Sequence, residues 1–459
     1  MRSKIQYRAM LMVLFLSGIA RADVVSDWNA VAGTAMRNAN INTGSQTRPL
    51  ATMHAAVFDA VNGIARKYDP YFVTDWAPGG ARQEAAAAQA AYTTLVNLIP
   101  SQTALFDAQL LLSLAAIPGA DGIKPCLEPD SKCSESVRRA CEWGQRVAEA
   151  ILLWRSGDGF NAVVPPFCCG ANPGVWRAVP PANPNAVFPQ VAVMTPFAIL
   201  SPSQFRPGPP PALASAEYAT DINEVKAVGR ATGSTRTAEQ TELARLWHAV
   251  APIDENATFI SLLPPGLDLV DRARILALVN LAMADAYIHV FDAKYTYNLW
   301  RPYHAIRLAE TDGNAATIPD PEWTSLILPT PNHQEYPSAH SAISGSGLRM
   351  MRNLLGDNHA FTLRSPAYPT FVYDYPSFSA AILGVQNARI WGGIHYRFAT
   401  RVGAAGGVMV ADHIFLNFLR PRVRRGRQSP RGPNGHGNMT PTSNDSCQGC
   451  WDYLRMEQM

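Results

Sequence analysis

Charged residues are scarce in this chain, since Asp, Glu, Lys and Arg make up 16% of its 459 residues and the formal net charge is +3. Much of that excess lies near the C-terminus, where Arg422, Arg424, Arg425 and Arg427 cluster. The rest of the chain is close to neutral and offers no basic surface for nucleic acid. With 47% hydrophobic residues, the chain can bury a large core.

Long apolar runs are also missing. The N-terminus has basic residues followed by an apolar run over residues 9–20, which is shorter than the roughly 20 residues that span a bilayer. The sequence Ala20-Arg21-Ala22 then has the small-x-small form of a signal-peptidase site. We therefore expect residues 1–22 to be a cleaved signal peptide, no later membrane span, and a periplasmic or extracellular location.

Cysteine is sparse, with seven residues in the chain. Disulfides persist in exported proteins, and an odd count leaves at least one thiol unpaired or paired between chains. Cys447 and Cys450 have the spacing of half a zinc site or a redox pair, but no second pair lies nearby, which favours a local disulfide. The pairing of the other cysteines stays open.

Helical periodicity dominates the rest of the chain. We expect Gly63 to end the first helix and Ser101 to cap the third. Prolines exclude long helices over residues 165–211, which we interpret as an ordered crossover. The prediction is an all-α fold of two helical-bundle halves over residues 23–420, followed by a basic, disordered tail at 421–459. The expected helices cover residues 50–62, 83–97, 101–116, 137–154, 216–228, 237–250, 271–295, 341–355, 377–391 and 402–419.

Two cations close one of these helices. Lys294 and Arg301 are seven residues apart, and two helical turns return nearly to the same face. Pro302 disfavours helix at Arg301, which places this arginine at a helix terminus from which it can reach across a pocket. Taken alone, the pair is more typical of solvated surface cations.

A second block runs from Glu335 to Ser341, reads Glu-Tyr-Pro-Ser-Ala-His-Ser, and leads into an apolar helix. The start of a helix presents unpaired N–H groups and a positive dipole end, which bind anions. Ser338 adds a hydroxyl donor, and His340 adds a group that exchanges protons near neutral pH. By itself, the block also fits a capping serine beside a structural histidine.

A third block contains Arg389 and His395 on either side of Gly392-Gly393, which break the helix and let the two side chains converge. Together the three blocks supply two guanidinium groups, an ammonium group, a hydroxyl and backbone donors, as a tetrahedral oxyanion requires. The two histidines add a nucleophile or axial nitrogen ligand and a general acid or base.

The order Lys-x6-Arg-Pro, Pro-Ser-Gly-His and Arg-x5-His resembles the signature shared by vanadium-dependent haloperoxidases and the type 2 phosphatidic-acid phosphatase superfamily. Residues 196–231, 292–302 and 328–346 are also similar to secreted bacterial relatives of the fungal vanadium chloroperoxidase. The resemblance runs from about residue 27 to 419. It implies a fold of the chloroperoxidase type, an oxyanion site within residues 285–400, and a vanadate cofactor whose site phosphate can also occupy.

The resemblance also implies a role for each motif residue. His340 would be the acid-base residue, and His395 would bind vanadium axially. Ala339 stands where the family has Gly, and it keeps the N–H that contacts the oxyanion while its Cβ restricts φ. The equatorial oxygens would be held by Lys294, Arg301, Ser338 and Arg389.

Two further positions bear on the halide. His333 stands where algal bromoperoxidases have histidine and the fungal chloroperoxidase has an aromatic residue, which favours bromide or iodide. Phe291 replaces the tryptophan of the chloroperoxidase. A plain loop role for His333 fits equally well.

Three functions follow from these residues. The leading hypothesis is a vanadate-dependent haloperoxidase that oxidises halide with hydrogen peroxide and passes the halogen to a small organic substrate. The second is a secreted acid phosphatase acting on phosphate esters, with His395 as nucleophile and His340 protonating the leaving group. The third is a non-catalytic phosphate-binding protein, against which the two histidines argue because simple binding needs neither. The oligomeric state stays open.

Overall fold

The computed structural model describes residues 23–121, 123–168 and 170–422. The expected signal peptide, the tail from residue 423 and the pair Cys447 and Cys450 lie outside the described residues. The structure is 56% helical with few strands, which confirms the predicted helical fold. Cys126 and Cys133 form a disulfide, and Cys141 is a buried free cysteine.

Among the described residues, five α-helices precede the proline-rich crossover. The expected helices of this half are confirmed, with ends that shift by a few residues, whereas α1 was not predicted. The third expected helix begins with a 3-10 turn at Pro100–Gln102, and Ser101 makes no capping hydrogen bond. The five helices are α1 (Val24–Asn38), α2 (Thr47–Ala65), α3 (Gln83–Leu98), α4 (Thr103–Ala115) and α5 (Glu135–Ser156).

The expected stop at Gly63 is wrong, because α2 continues to Ala65 and ends at Arg66 in the left-handed conformation. Gly63 serves close packing instead. A Cβ at this position would lie 2.4 Å from Cζ2 of Trp143, so α5 approaches α2 at a point where a larger residue would not fit.

The crossover over residues 165–211 is confirmed as ordered and without α-helix, and it contains one 3-10 helix, Pro189–Val193. A buried carboxylate anchors its far end. Asp285 accepts hydrogen bonds from the backbone N–H groups of Phe197, Ala198 and Ile199 at 2.6, 2.7 and 2.8 Å. The crossover is therefore fixed to a core helix of the second half.

The second half contains eight further α-helices and one small sheet among the described residues. The sheet pairs β1 (Phe361–Leu363) with β2 (Tyr373–Tyr375) in antiparallel register, and it is a minor addition to the helical fold. Two short helices, α8 and α10, were not predicted. The helices are α6 (Ala216–Val228), α7 (Ala238–Ala249), α8 (Pro252–Ser261), α9 (Leu269–Tyr297), α10 (Pro302–Arg307), α11 (Ala339–Leu355), α12 (Phe378–Trp391) and α13 (Arg397–Asn417).

Helix α9 joins the two halves, since it packs against α2 on one side and against α11 and α13 on the other. It is long and apolar enough to cross a membrane, but its apolar stretch is entirely buried inside the protein. The largest core cluster includes residues of both halves. The two halves therefore share the largest core cluster, and α9 carries Lys294 near its C-terminal end.

Candidate active site

A pocket of about 540 Å³ lies where α8, α9, α11 and α12 meet the crossover and the loop at residues 329–333. We name the part of its lining formed by His340, Arg389 and His395 the cationic end. We name the part formed by Glu255, Ser344 and Tyr287 the carboxyl end.

Arg389, in the last turn of α12, is the most unusual side chain of the cationic end. It is 1% exposed, and none of its three guanidinium nitrogens has a hydrogen-bond partner among the described residues. Burial, reinforced by the positive charge of Arg301, lowers the pKa of Arg389 to about 9. This side chain is therefore a buried cation with unused donors beside a cavity.

The turn after α12 brings His395 back to the same pocket. Gly393 has a φ of +74°, and a Cβ there would lie 2.4 Å from the carbonyl oxygen of Gly229. Glycine meets both requirements, so the expected helix break at Gly392-Gly393 is confirmed. His395 follows two residues later and is buried at 2% exposure.

Glu335 fixes the orientation of His395. The Nδ1 atom of His395 lies 2.8 Å from Oε1 of Glu335, and the same oxygen accepts the N–H of Tyr396 at 3.0 Å. On the other side of the ring, Nε2 lies 3.1 Å from Nη1 of Arg301, which can only donate. The hydrogen-bond network therefore assigns the proton to Nδ1 and leaves a lone pair on Nε2.

Burial decides the charge of this pair. It lowers the pKa of His395 well below its usual value, and Arg301 and Lys294 lower it further. Burial raises the pKa of Glu335 to about 8, against the opposite effects of Arg301 and Lys294. His395 is accordingly neutral, as a nucleophile or a metal ligand must be.

Lys294 and Arg301 lie behind the wall of the pocket, both at 0% exposure. The Nζ atom of Lys294 donates to the backbone oxygens of Gln334 and Glu335 at 2.8 and 3.0 Å. Arg301 donates to the carbonyl oxygens of His333 and Ile394 at 2.9 and 2.8 Å. These contacts thus join the segment before α11 to the segment that carries His395, and they support the cationic end from behind the wall.

The N-terminus of α11 contributes the next group of predicted residues. Ser338 is the N-cap, and its hydroxyl oxygen accepts from the hydroxyl of Ser341 at 3.0 Å. Ala339 is the first helical residue, and His340 follows with its Nε2 atom buried and without a partner among the described residues. Burial and then Arg389 lower the pKa of His340 well below its usual value, so its ring is neutral.

The C-terminal part of the chain matches a known family. Residues 274–422 match the family model described as the VCPO second helical-bundle domain. Vanadium chloroperoxidase of Curvularia inaequalis is 32% identical over 91 residues, which cover 18% of this chain and 14% of that protein. The match thus spans a small part of this relative's length.

The fold extends the likeness to most of the chain. A crystal structure of a bacterial vanadium-dependent iodoperoxidase matches with a TM-score of 0.74 at 24% identity, covering 88% of this chain and 98% of that one. An apo-form bacterial vanadium-dependent chloroperoxidase matches with a TM-score of 0.64 at 16% identity, over 82% and 92% of the two chains. Residues 274–422 thus match a domain of the vanadium chloroperoxidase family, and the chain as a whole has the fold of bacterial vanadium-dependent haloperoxidases.

The two residues that the sequence analysis linked to the halide both belong to the pocket lining. The ring centroids of Phe291 and His333 are 5.3 Å apart. The Nδ1 atom of His333 lies 3.0 Å from Nη2 of Arg301, and burial lowers the pKa of His333 well below its usual value. His333 is therefore a neutral ring that also supports Arg301.

Sequence reasoning missed one residue that supports the site and two that line the pocket. Glu335 stands in the second block, but its spacing gave no sign that it would meet His395. His248 near the end of α7 and Glu255 on α8 both line the pocket, and neither lies in a motif. Their contributions depend on how α7 and α8 pack against α11 and α12, which no local pattern encodes.

Proposed function

We propose that the protein is a vanadate-dependent haloperoxidase that oxidises iodide or bromide with hydrogen peroxide. The unpartnered guanidinium group of Arg389 carries this proposal. A buried cation is costly unless an anion meets it. Lys294 and Arg301 add two further basic groups, and burial lowers the pKa of both. Glu335 is the one acidic side chain among the described residues that opposes this effect on both groups. The cationic end therefore favours an anion with several charged oxygens.

The donors that remain free suit vanadate. Lys294 uses two of its three N–H groups on carbonyl oxygens and keeps one. The Ser338 hydroxyl accepts from Ser341, so its own hydrogen is available. Ala339 opens α11, where the helix dipole and free N–H groups stabilise negative charge. The oxygens of vanadate would be held by Lys294, Arg301, Ser338, Ala339 and Arg389.

His395 would bind vanadium through the lone pair of Nε2, which Glu335 makes available by holding the proton on Nδ1. When bound, vanadate supplies a Lewis acid that activates hydrogen peroxide toward a halide. His340 can take up a proton at Nε2, because this atom has no partner among the described residues. An oxyanion beside Arg389 would raise the pKa of His340 again and bring it into range for proton exchange.

The preference for iodide or bromide rests on His333 and Phe291. Their rings contact each other at the pocket wall, and no tryptophan stands at position 291. The likeness in fold to a bacterial iodoperoxidase supports iodide in particular. Comparing the rates with chloride, bromide and iodide under identical conditions tests this preference.

One observation also favours phosphatase activity as a second candidate. A neutral histidine whose Nε2 carries no proton, oriented by a carboxyl group on Nδ1, is equipped to attack phosphorus once Nε2 exchanges its contact with Arg301 for the substrate. The same donors would hold phosphate, because phosphate and vanadate share charge and tetrahedral oxygens. The haloperoxidase and phosphatase activities can therefore be distinguished by whether vanadate is supplied to the protein.

The decisive experiment uses purified protein in phosphate-free buffer, with and without orthovanadate. We expect iodide and peroxide to give triiodide only when vanadate is present and phosphate is absent. Phosphate added to the vanadate-loaded protein in the same concentration series should suppress triiodide formation. His395→Ala should abolish vanadate retention and the activity. Vanadate binding that phosphate leaves unchanged would place the two ions at different sites and contradict the shared pocket.

We also propose that the protein works in an oxidising compartment after export. The disulfide between Cys126 and Cys133 supports this location, because such bonds persist in exported proteins. Sequencing the N-terminus of the mature protein tests whether cleavage follows Ala22.

A further inference from the structure

The pocket is far larger than a halide and peroxide need. Its volume of about 540 Å³ falls in the range of roughly 300–1,000 Å³ that is typical of sites for small organic molecules. Only one end of it carries the cations described above. The carboxyl end therefore calls for an occupant of a different chemistry.

The antiparallel helices α9 and α11 define the distance between the cationic end and the carboxyl end of the pocket. Lys294, near the end of α9, contacts the segment before α11, whereas Met283 of α9 lies against Gly347 of α11. His340 and Ser344 both line the pocket and are one helical turn apart, about 6 Å along the axis. The carboxyl end thus begins one turn from the proton-exchanging histidine.

Glu255 is the central group of the carboxyl end. It is 2% exposed, and its Oε1 atom has no hydrogen-bond partner among the described residues. Burial raises the pKa of Glu255 to about 8, Asp254 raises it slightly, and the Ser344 hydroxyl lowers it. No cation contributes, so Glu255 is a neutral acid that can donate one hydrogen bond and accept another.

The wall between the ends is aromatic and apolar. The rings of Tyr287 and Phe291, one turn apart on α9, meet edge to face at 4.7 Å, and Ile343 of α11 lines the same pocket. Gly44 fixes the Tyr287 ring from behind, since a Cβ there would lie 2.8 Å from its Cε2 atom. A flat ring fits between such walls.

We propose that the carboxyl end binds a small neutral hydroxyarene, with its hydroxyl group on Glu255 and its ring between Phe291 and Ile343. The use of this molecule as halogen acceptor rests on the proposed haloperoxidase function, whereas its binding does not. A phenol held there exchanges one ring hydrogen for the halogen of hypohalous acid, and water leaves. The acceptor is then halogenated within the pocket.

The test measures binding of para-cresol to the protein without vanadate, by calorimetry or ligand-observed NMR. The matched ligand 4-methylanisole has the same ring but lacks the hydroxyl hydrogen, and 4-methylbenzylamine replaces the hydroxyl with a cation. We expect cresol to bind about tenfold more tightly than 4-methylanisole, because a buried acceptor would otherwise stay unpaired. Because no vanadate is present, failure of the haloperoxidase proposal would leave this result intact.

Variants locate the interaction. Glu255→Gln keeps a neutral donor and acceptor and should bind cresol within about threefold of the wild type, whereas Glu255→Leu should lose about tenfold. Glu322→Leu, at an exposed position outside the pocket, is the control. Equal binding of cresol and 4-methylanisole by the wild type would overturn the proposal without any variant. Tighter binding of the amine, lost in Glu255→Gln, would overturn it in favour of a cation site.

Discussion

Arg155 and Arg389 occupy matching positions with opposite surroundings. Each lies in the last turn of a helix and is 1% exposed. Arg155 donates to Asp158 at 3.1 Å and to the carbonyl oxygens of Pro196 and Thr195 at 2.9 and 2.7 Å. It also stacks on Phe197 at 3.8 Å. By contrast, none of the guanidinium nitrogens of Arg389 has a hydrogen-bond partner among the described residues.

The difference separates a structural cation from a binding cation. The fold satisfies every donor group of Arg155 and pairs its charge, so this arginine fastens the crossover to α5. The donors of Arg389 face a cavity instead, and the fold alone leaves its charge uncompensated. Burial by itself therefore does not indicate function, whereas burial without partners does.

The largest expected effect is on stability, from Arg155→Met. The change leaves two buried carbonyl groups without donors and leaves Asp158 with Arg48 as its remaining cation. Breaking a buried pair of this kind costs about 3–5 kcal/mol. Thermal unfolding should show a large fall in Tm. An unchanged Tm would mean that Arg155 is no more structural than Arg389.

Arg389→Met should reduce anion affinity without reducing stability, which is the reverse of the result expected for Arg155→Met. We expect phosphate or vanadate affinity to fall about 100-fold, since a charged group with several donors is lost. The Tm of the anion-free protein should stay equal or rise, because methionine removes an uncompensated buried charge. Calorimetric titration with phosphate and a parallel Tm measurement check both parts. A fall in Tm without loss of affinity would make Arg389 structural.

Arg301→Lys should have an intermediate effect on the affinities for phosphate and vanadate. Arg301 holds two backbone carbonyls and His395, so lysine would lose the fork that reaches them together. We expect phosphate and vanadate affinity to fall together by about tenfold, because a point charge replaces a bidentate group. Parallel titrations with the two ions measure this. A loss for one ion alone would show that Arg301 does not contact a shared site.

The smallest effect is expected from Arg138→Ala on the surface of α5. Arg138 pairs with Glu135 and Glu142, yet its side chain is 44% exposed. Exposed ion pairs contribute little because solvent and salt screen them. Neither Tm nor phosphate affinity should change measurably. A large loss of stability would mean that the number of ion pairs matters more than their burial.

The sequence by itself predicted the helical fold and the three blocks of the site. Apolar periodicity locates a helix wherever one face is buried, so α6 was expected with its observed bounds and α9 within two residues. Gly392-Gly393 predicted the break that returns His395 to the pocket, because glycine alone allows that backbone without strain. Gly63 misled the same reasoning, since its small size serves contact with Trp143.

Only the tertiary structure decided which groups line the pocket and which support it. Lys294 and Arg301 are basic side chains like Arg389, but they hold backbone carbonyls behind the wall while Arg389 faces the cavity. Glu255 reaches the pocket because α8 packs against α11. Chain-local patterns encode periodicity and turns, whereas satisfaction of a buried donor depends on atoms from distant segments. For that reason the sequence revealed the residue types of the site, and the packing assigned their partners.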